Sequence, residues 1–313
     1  MKLSIITINY NNAAGLRKTL ASVEAQTYRH IEHIIIDGGS TDGSVDVIRE
    51  YEKQNTLLSG RDGGDLTIIW VSEPDNGIYN AMNKGIEIAL GRRIVNALNR
   101  SELVEEKQIS DIIYNTSNES ISDYIQILNS GDILASPDVT ERMISVLSIE
   151  NHPAILYGNM IKKDYSTCKI LGKSGVVEYS LRQYFNSTMN HDCCYFRRDL
   201  FETYGLYDED LKIVSDWKWF LQAIGLGHVE PVYVDIDVTI FDASGISETN
   251  LELREKERRQ VIEQLLPPAI LADYDAHAFE MEQMNRLHRR HLYGLVYFIE
   301  RVLFKLEKWH ILR

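Results

Sequence analysis

The stretch that decides the fold is IEHIIIDGGSTDGS, residues 31–44. Ile31 to Ile36 is almost continuously apolar, which predicts a parallel strand that is covered on both faces. The strand stops at a turn of glycines, hydroxyls and acids, and a helix is expected to follow from Val45 to Lys53. This order of elements is typical of an α/β protein.

The same pattern recurs on both sides of this stretch. Leu3 to Ile8 is predicted to be the first strand, and it runs into the polar turn at residues 9–12. Leu16 to Gln26 has the apolar spacing of one helix face, and Leu66 to Ser72 is predicted to be a third strand. Strands that alternate with helices imply right-handed crossovers and an open parallel sheet.

The turn that begins at Asp37 is the first candidate site. Its glycines allow the backbone to approach a ligand closely, and its acid can accept a hydrogen bond from a base N–H or a ribose hydroxyl. The alternative is an ordinary glycine turn that caps the next helix, which is the more common use of such residues. The turn lacks the GxGxxG pattern, which argues against a Rossmann dinucleotide site.

The second candidate is Asn129-Ser130-Gly131-Asp132, which follows a short buried-strand pattern from Tyr124 to Leu128. Mg²⁺ and Mn²⁺ prefer hard oxygen ligands, few of them protein carboxylates, with phosphate and water filling the other positions. Asp132 at a strand end suits that need. A single acid after a glycine is also a common turn or cap residue, so this motif alone indicates a metal site only weakly.

The third candidate is the segment that contains His191, Asp192 and the Ser215-Asp216 pair before a predicted helix at residues 215–224. An acid at the start of a helix, flanked by aromatic residues, can act as a general base. The competing interpretation makes Ser215 or Asp216 a helix cap. A His-Asp pair is likewise more often structural than catalytic.

Composition sets limits on the class of protein. The chain has 313 residues, 44% hydrophobic and 25% charged, which is ordinary for a globular protein. A net charge of −13 argues against nonspecific binding to nucleic acid. Cys168, Cys193 and Cys194 form no metal or disulfide pattern and are predicted to be buried small apolar residues in a reducing cytosol. No segment is predicted to be a signal peptide or to span a bilayer.

The C-terminal segment differs from the remainder in charge. Residues 286–313 hold seven Lys or Arg against two Glu, a net +5 that leaves −18 on the other residues. Its apolar spacing predicts an amphipathic helix that either lies on anionic lipid or packs on the domain or on a second subunit. The packed alternative is slightly favoured. Residues 92–122 are polar and are interpreted as a surface insertion, with one short helix over Glu102 to Tyr114.

Taken in order, these segments resemble the inverting glycosyltransferases of family 2, which have the GT-A fold. The nearest subtype is the WcaA-like one of exopolysaccharide and O-antigen biosynthesis. The segments that carry the resemblance are SIITINYN (4–11), IDGGSTDG (36–43), EPDNGIYNAMNKG (73–85), LNSGD (128–132), and His191 through Asp216. Each is weak alone, but the ordered set is specific, and it covers residues 1–247 with 92–122 interrupting it.

The resemblance implies an α/β GT-A fold, that is, a Rossmann-like open and mostly parallel sheet with flanking helices. Residues 1–247 would form this domain, and 248–313 a C-terminal helical extension. It assigns Asp37 to the nucleobase, Asp132 to the metal and Asp216 to the catalytic base. The residues implied in binding the nucleotide-sugar donor are Thr7, Asn9, Tyr10, Asp37, Gly39, Ser40, Asp75, Asn76, Gly77, Tyr79, Asn83, Lys84, Asn129 and Gly131.

The implied activity is transfer of a sugar, a UDP-sugar by analogy, to a saccharide or polyprenyl-linked hydroxyl with Mg²⁺ or Mn²⁺ as cofactor. The implied location is cytoplasmic. The C-terminal helices are expected either to contact the inner face of the plasma membrane or to form a homodimer. The sequence departs from the DXD metal motif at Asn129 and Gly131, where many relatives have acids. That departure motivates an alternative: a catalytically impaired nucleotide-sugar-binding protein that acts as an interaction module.

Overall fold

The computed structural model describes residues 1–58, 66–95, 101–103, 122–165, 167–177, 181, 184, 188–242, 250–290 and 292–308. The chain divides into two compact units, Met1–Arg258 and Arg259–Arg313. The predicted boundary at residue 247 stays a prediction.

The first unit begins with three parallel strands that alternate with helices. These elements are β1 (Leu3–Asn9), α1 (Ala13–Glu24), β2 (Ile31–Asp37), α2 (Ser44–Leu58), β3 (Thr67–Ser72) and α3 (Ile78–Ala89). Every residue of β1 and β2 is buried, as expected for parallel strands covered by helices on both faces. The three strands are in register, so that Asn9, Asp37 and Ser72 end them at one edge of the sheet.

The remaining strands extend the sheet and add antiparallel pairs. The elements are β4 (Arg93–Val95), β5 (Ser101–Leu103), β6 (Tyr124–Ile127), β7 (Ile133–Leu134), α4 (Val139–Ile149), β8 (Ile155–Asp164), β9 (Lys169–Lys173), β10 (Cys194–Arg197), α5 (Asp199–Thr203), α6 (Ser215–Phe220) and β11 (Val232–Asp242). The main sheet has the order β3-β2-β1-β6-β10-β8-β11-β7, with β9 beside β8. β6 pairs with β1 in parallel, so Asn129 and Asp132 follow the carboxyl end of β6 on the same edge as Asp37.

The predicted fold class is confirmed: this is an α/β GT-A-like fold with a mostly parallel sheet and C-terminal helices. Two details differ from expectation. Cys168 is exposed, so its predicted burial was wrong, whereas Cys193 and Cys194 are buried. Cys168 lies in the turn between β8 and β9 with φ 56°, where no core is within reach. Of residues 92–122, β4 and β5 form an antiparallel pair that includes Glu102, and the rest of the predicted helix lies outside the described residues.

The C-terminal helices are α7 (Leu251–Leu265), α8 (Pro268–Arg289) and α9 (Tyr293–Lys308). On α9 the described apolar side chains are largely exposed: Leu295, Val296, Tyr297, Phe298, Ile299, Val302, Leu303 and Phe304. Among the described residues, no helix is long and apolar enough to cross a membrane.

A buried histidine in the sheet gives the protein a pH-dependent stability. His33 on β2 is fully buried between the hydroxyls of Thr7 and Tyr51, at 3.0 and 2.9 Å. Burial lowers the pKa of His33 to about 3. The unfolded chain binds a proton near pH 6.5 and the folded chain does not, so stability falls as the pH falls from about 6.5 toward 3.

We therefore expect the free energy of unfolding to fall by about 1 kcal/mol more in the wild type than in His33→Gln between pH 7 and 5.5. Urea unfolding at both pH values measures this, and the variant cancels the titration of the carboxylates common to both proteins. Equal pH dependence in the two proteins would show that His33 does not stay neutral in the fold.

Candidate active site

Asp37 holds together the loops at the carboxyl edge of the first three strands. Its Oδ1 accepts from Asn9 Nδ2 at 2.8 Å and from Ser40 Oγ at 2.6 Å. Its Oδ2 accepts from the Ser40 backbone N–H at 2.9 Å and from Ser72 Oγ at 2.8 Å. A carboxylate has about four acceptor positions, and these four donors fill them. The predicted contact of Asp37 with a nucleobase stays a prediction; in the structure the group is buried and organises the loops.

Three other residues that were predicted to bind the nucleotide-sugar do not line the cavity that contains Asp132 and Asp216. They are Thr7, Asn83 and Lys84. Thr7 is buried in the sheet against His33. Asn83 on α3 donates to and accepts from the backbone of Tyr207, at 2.9 Å each. Lys84 is buried and bonded to the Pro74 carbonyl at 3.1 Å. Their predicted contacts with the donor stay predictions.

The loop after β3 approaches the β2 turn closely. Gly39 has φ 78°, a conformation that favours glycine, and a Cβ built there would lie 3.4 Å from Pro74 N. Asp75 follows, and its Oδ1 accepts from the Gly77 backbone N–H at 3.0 Å. Asn76 is exposed, and its carbonyl accepts from Lys212 Nζ at 3.4 Å. Asn76 and Gly77 thus lie between the turn after β2 and the segment that leads to Asp216.

Asp132 is the second acid of the candidate site, after Asp37. The loop before it turns at Gly131, with φ 110°, and the Gly131 N–H donates to Thr19 Oγ1 at 2.9 Å. Asp132 is 4% exposed, and its Oδ1 accepts from the Asp242 backbone N–H at 2.9 Å. Its Oδ2 accepts no hydrogen bond from the described residues. Burial and then the charge of Asp192 raise the pKa of Asp132 to about 8.

Asp216 is the third acid of the candidate site, and it lies in the first turn of α6. Its Oδ1 lies 3.0 Å from the Tyr79 hydroxyl, whose single proton is shared with the Ile213 carbonyl at 2.6 Å, and its Oδ2 lies 3.1 Å from His191 Nδ1. Burial alone would raise the pKa of Asp216, but the hydrogen bond and charge of His191 lower it below its usual value. Burial and Asp216 keep the pKa of Tyr79 well above its usual value, so this hydroxyl remains a donor.

His191 connects the loop at Asn129 that leads to Asp132 with the carboxylate of Asp216. Burial alone would lower the pKa of His191, but the hydrogen bond and charge of Asp216 raise it. Its Nε2 lies 3.3 Å from Asn129 Nδ2, while Asn129 Oδ1 is buried without a partner among the described residues. Rotating the Asn129 amide by 180° lets Oδ1 accept from Nε2–H. A protonated His191 then has an acceptor for both N–H groups.

Asp132, His191 and Asp216 line one cavity of about 200 Å³. Cationic side chains also reach it, namely Lys162 on β8 and both Arg254 and Arg258 on α7. The cavity therefore combines an acid with a free oxygen, an oriented carboxylate and cations that suit an anionic ligand.

The donor set at Asp132 fits a divalent metal ion. The free Oδ2 is a hard oxygen, and the neighbouring Asp192 makes the buried ionised acid costly until a cation balances the charge. Among the described residues, no group of three or more His, Cys, Asp or Glu could hold a metal by itself. Such an ion would therefore take its other ligands from phosphate and water, as Mg²⁺ does in phosphate sites.

The segment before Asp216 is held by a residue from far along the chain. Glu257 on α7 is buried, and its carboxylate accepts the backbone N–H groups of Lys212, Ile213 and Val214 at 2.7, 2.9 and 3.3 Å. These bonds fix the approach to α6. The N–H groups of Ile213 and Val214 are buried, so loss of the carboxylate would leave them unpaired.

We expect Glu257→Ala to lower the free energy of unfolding by roughly 2–4 kcal/mol, because it leaves buried donors unpaired. Glu257→Gln keeps acceptor oxygen and is expected to lose less. Urea unfolding measures both changes, with Glu255→Ala at an exposed position of the same helix as the control. A Glu257→Ala variant as stable as that control would contradict the anchoring role.

Asp242 and Glu257 were not predicted from the sequence to contribute to the site, and His191 and Asp192 were predicted only as a candidate pair that is more often structural than catalytic. His191 and Asp192 lie in a 3₁₀ turn, His191–Cys193, that precedes β10 and brings them to the same edge as Asp132. The adjacent His-Asp pair was visible in the sequence, but its placement depends on β10 pairing with β6. Nothing in the local pattern of Asp242 or Glu257 distinguishes them from surface acids.

Comparisons with known sequences show which family the chain resembles. The profile of the family described as "Glycosyl transferase family 2" matches residues 4–97. The chain is similar to an uncharacterised glycosyltransferase of Mycobacterium tuberculosis, 30% identical over 295 residues, 93% of this chain and 86% of the relative. It is also similar to a PGL/p-HBAD biosynthesis glycosyltransferase of Mycobacterium bovis, 23% identical over 242 residues and 77% of each chain.

Solved structures show the same fold at low identity. TarS residues 1–349 of S. aureus in complex with UDP has a TM-score of 0.53 and 16% identity, over 92% of this chain and 74% of that one. The chain spans 45% of the longer TarS structure. The mannosyltransferase PcManGT from Pyrobaculum calidifontis, in complex with GDP-Man and Mn²⁺, has a TM-score of 0.56 and 15% identity, over 89% and 69%.

Proposed function

The chain belongs to glycosyltransferase family 2, and from this premise we propose that it is an inverting, metal-dependent hexosyltransferase. The donor would be a nucleotide-sugar, and the acceptor a hydroxyl of a saccharide or of a polyprenyl-linked glycan. The observation that supports this most is that two acids line the same cavity: Asp132, whose Oδ2 accepts no hydrogen bond from the described residues, and Asp216, which is held in its ionised form.

Asp216 suits the role of general base. Tyr79 and His191 hold its two oxygens from fixed directions, and each oxygen retains an acceptor position for a substrate hydroxyl. The hydrogen bonds that lower its pKa also keep it unprotonated near neutral pH. It therefore accepts a proton only when a hydroxyl becomes acidic through attack, which is the behaviour of a base acting in the transition state.

The proposed reaction is a single displacement. The acceptor oxygen forms a bond to the anomeric carbon, the bond from that carbon to the diphosphate oxygen breaks, and the hydroxyl proton passes to Asp216. Attack from the face opposite the diphosphate inverts the configuration. A divalent cation held at Asp132 would neutralise the negative charge that develops on the diphosphate.

The donor and acceptor are proposed by analogy. One structural neighbour is in complex with UDP and another with GDP-Man and Mn²⁺, which supports a nucleoside diphosphate sugar and Mg²⁺ or Mn²⁺ here. A polysaccharide pathway of the WcaA-like subtype remains part of the proposal. The exposed apolar side chains of α9 and the basic C-terminal segment support contact with a membrane that carries a lipid-linked acceptor, or with a second subunit.

A thermal-shift screen of sugar nucleotides with and without Mn²⁺ tests the proposed donor class. A ligand that binds only the folded state raises its stability by about 2.7 kcal/mol at a hundredfold excess over Kd. The preferred donor should raise Tm, and more so with Mn²⁺. An unchanged Tm across UDP-, GDP-, dTDP-, CDP- and ADP-sugars at millimolar concentration would contradict the proposal.

A further inference from the structure

We propose that Asp75, and not Asp37, recognises the base of the donor nucleotide, and that this base carries a ring N–H, as uracil, thymine and guanine do. The inference rests on the proposed function, because it assumes that a nucleotide-sugar binds at the edge formed by β1, β2 and β3. It is carried by the arrangement of Gly38, Tyr10 and Asp75 at that edge.

Asp37 has no acceptor position left for a base. Its carboxylate is fully buried and accepts hydrogen bonds from Asn9, Ser40 and Ser72 that join the ends of the three strands. Releasing one of these donors to accept from a base would leave a buried polar group unpaired, at a cost of about 1–3 kcal/mol. Asp37 therefore has a structural role, which is to hold the ends of β1, β2 and β3 together beneath the proposed nucleotide site.

The position after it, Gly38, has no side chain, and the carboxylate of Asp75 occupies the space that a side chain would fill. A Cβ built on Gly38 would lie 2.5 Å from Asp75 Oδ2 and 3.2 Å from Tyr10 Cδ2. The β3 loop thus delivers an acid onto the end of β2. This acid is accessible, because Asp75 is only partly buried.

The two oxygens of Asp75 have different partners. Oδ1 accepts from the Gly77 backbone N–H at 3.0 Å, which fixes the orientation of the carboxylate. Oδ2 accepts no hydrogen bond from the described residues and faces the space between Gly38 and Tyr10. An oriented carboxylate with one oxygen free is an acceptor for an N–H donor of a ligand.

Tyr10 supplies an aromatic surface beside that acceptor. Its ring is 67% exposed, although its neighbours are held: Asn9 bonds to Asp37, and the Asn11 N–H donates to Ser40 Oγ at 2.8 Å. A planar base can stack on an exposed ring whose backbone is anchored on both sides, as bases do on aromatic side chains of other proteins. The base would then present its hydrogen-bonding edge to Asp75 Oδ2.

This pairing selects among nucleotides. Uracil and thymine present N3–H, and guanine presents N1–H with its amino group, so each can donate to a carboxylate. Cytosine and adenine present a ring nitrogen lone pair at the equivalent position, which opposes a carboxylate. A site that hydrogen-bonds one group of a ligand discriminates strongly against analogues that lack it.

Two variants test the role of Asp75 without removing the fold. Asp75→Asn retains an acceptor for the Gly77 N–H and removes the charge. Gly38→Ala has no positive φ to strain, and its Cβ displaces the end of the Asp75 side chain and presses on the Tyr10 ring, so it disturbs both proposed contacts of the base. The controls are Asp46→Asn, an exposed acid on α2, and Gly175→Ala, an exposed glycine with open space around its Cβ.

Isothermal titration of UDP, dTDP, GDP, CDP and ADP in the presence of Mn²⁺ gives the readout. We expect the wild type to bind one of the first three at least tenfold tighter than CDP and ADP. Asp75→Asn should lower the affinity for that preferred nucleotide by roughly 10- to 100-fold, and Gly38→Ala should lower it less. The control variants should bind the nucleotide as tightly as the wild type does.

Tightest binding of CDP or ADP by the wild type, or an unchanged affinity and ranking in Asp75→Asn, would overturn the role of Asp75 while leaving the glycosyltransferase proposal in place. Absence of binding by all five nucleotides would instead overturn the proposed function, and this inference with it. The two failures are therefore distinguishable.

Discussion

Asp216→Asn is expected to reduce the rate of sugar transfer by roughly 10²- to 10⁴-fold, the range that a general base contributes. The amide retains the shape of the side chain and can still accept from Tyr79, but it cannot take a proton from the acceptor hydroxyl. Because the substitution retains the size of the side chain and leaves Asp132 unchanged, donor binding should change little. Initial rates and donor Kd measured on the same preparation separate the two effects.

The matched control for this variant is Asp210→Asn. Asp210 lies in the same segment, is exposed, and its backbone N–H donates to Asp208 Oδ1 at 3.0 Å. It should retain wild-type turnover. If Asp216→Asn kept near-normal turnover, the base would have to be another group, and His191 would be the next candidate because it lies 3.1 Å from the same carboxylate.

Asp132→Asn is expected to remove the metal dependence of donor binding and to lower turnover by several orders of magnitude. A cation that stabilises the departing diphosphate contributes several kcal/mol, and each 1.36 kcal/mol is a factor of ten in rate. Asn retains an acceptor for the Asp242 N–H, so the turn should persist. The measurement is donor Kd with Mn²⁺ and with EDTA, together with initial rates.

Stability provides an independent check on Asp132. Burial beside Asp192 raises its pKa, so the ionised acid is costly when no cation is bound. In EDTA the Asn variant should therefore be at least as stable as the wild type, and only the wild type should gain stability from Mn²⁺. Asp138→Asn, an exposed acid before α4, is the control. A Mn²⁺-dependent gain retained by Asp132→Asn would place the metal elsewhere.

Local patterns in the sequence predicted the half of the fold built from β1, β2 and β3. Those strands are rich in isoleucine and end in small polar residues, so the apolar pattern and the turn chemistry pointed to one edge of a parallel sheet. The resemblance selected Asp132 and Asp216, and the structure places them on one cavity.

The remainder of the site depends on pairings distant in sequence. One acceptor position of Asp37 is occupied by the hydroxyl of Ser72, which is 35 residues away in the sequence. Asp216 is oriented by Tyr79, which is 137 residues away. Helical periodicity in α3 does not reveal that Asn83 is hydrogen-bonded to the backbone of Tyr207. Such contacts follow from strand order and loop packing, which local propensity does not specify.

The most direct test of the central claim is the release of nucleoside diphosphate from a panel of nucleotide-sugars, incubated with Mn²⁺ and a membrane-glycan extract as acceptor. We expect that one donor is consumed, that EDTA stops its consumption, and that Asp132→Asn and Asp216→Asn are inactive while Asp210→Asn is active. Tight binding of a nucleotide-sugar with no release from any donor would contradict the central claim and favour a nucleotide-sugar-binding module without transferase activity.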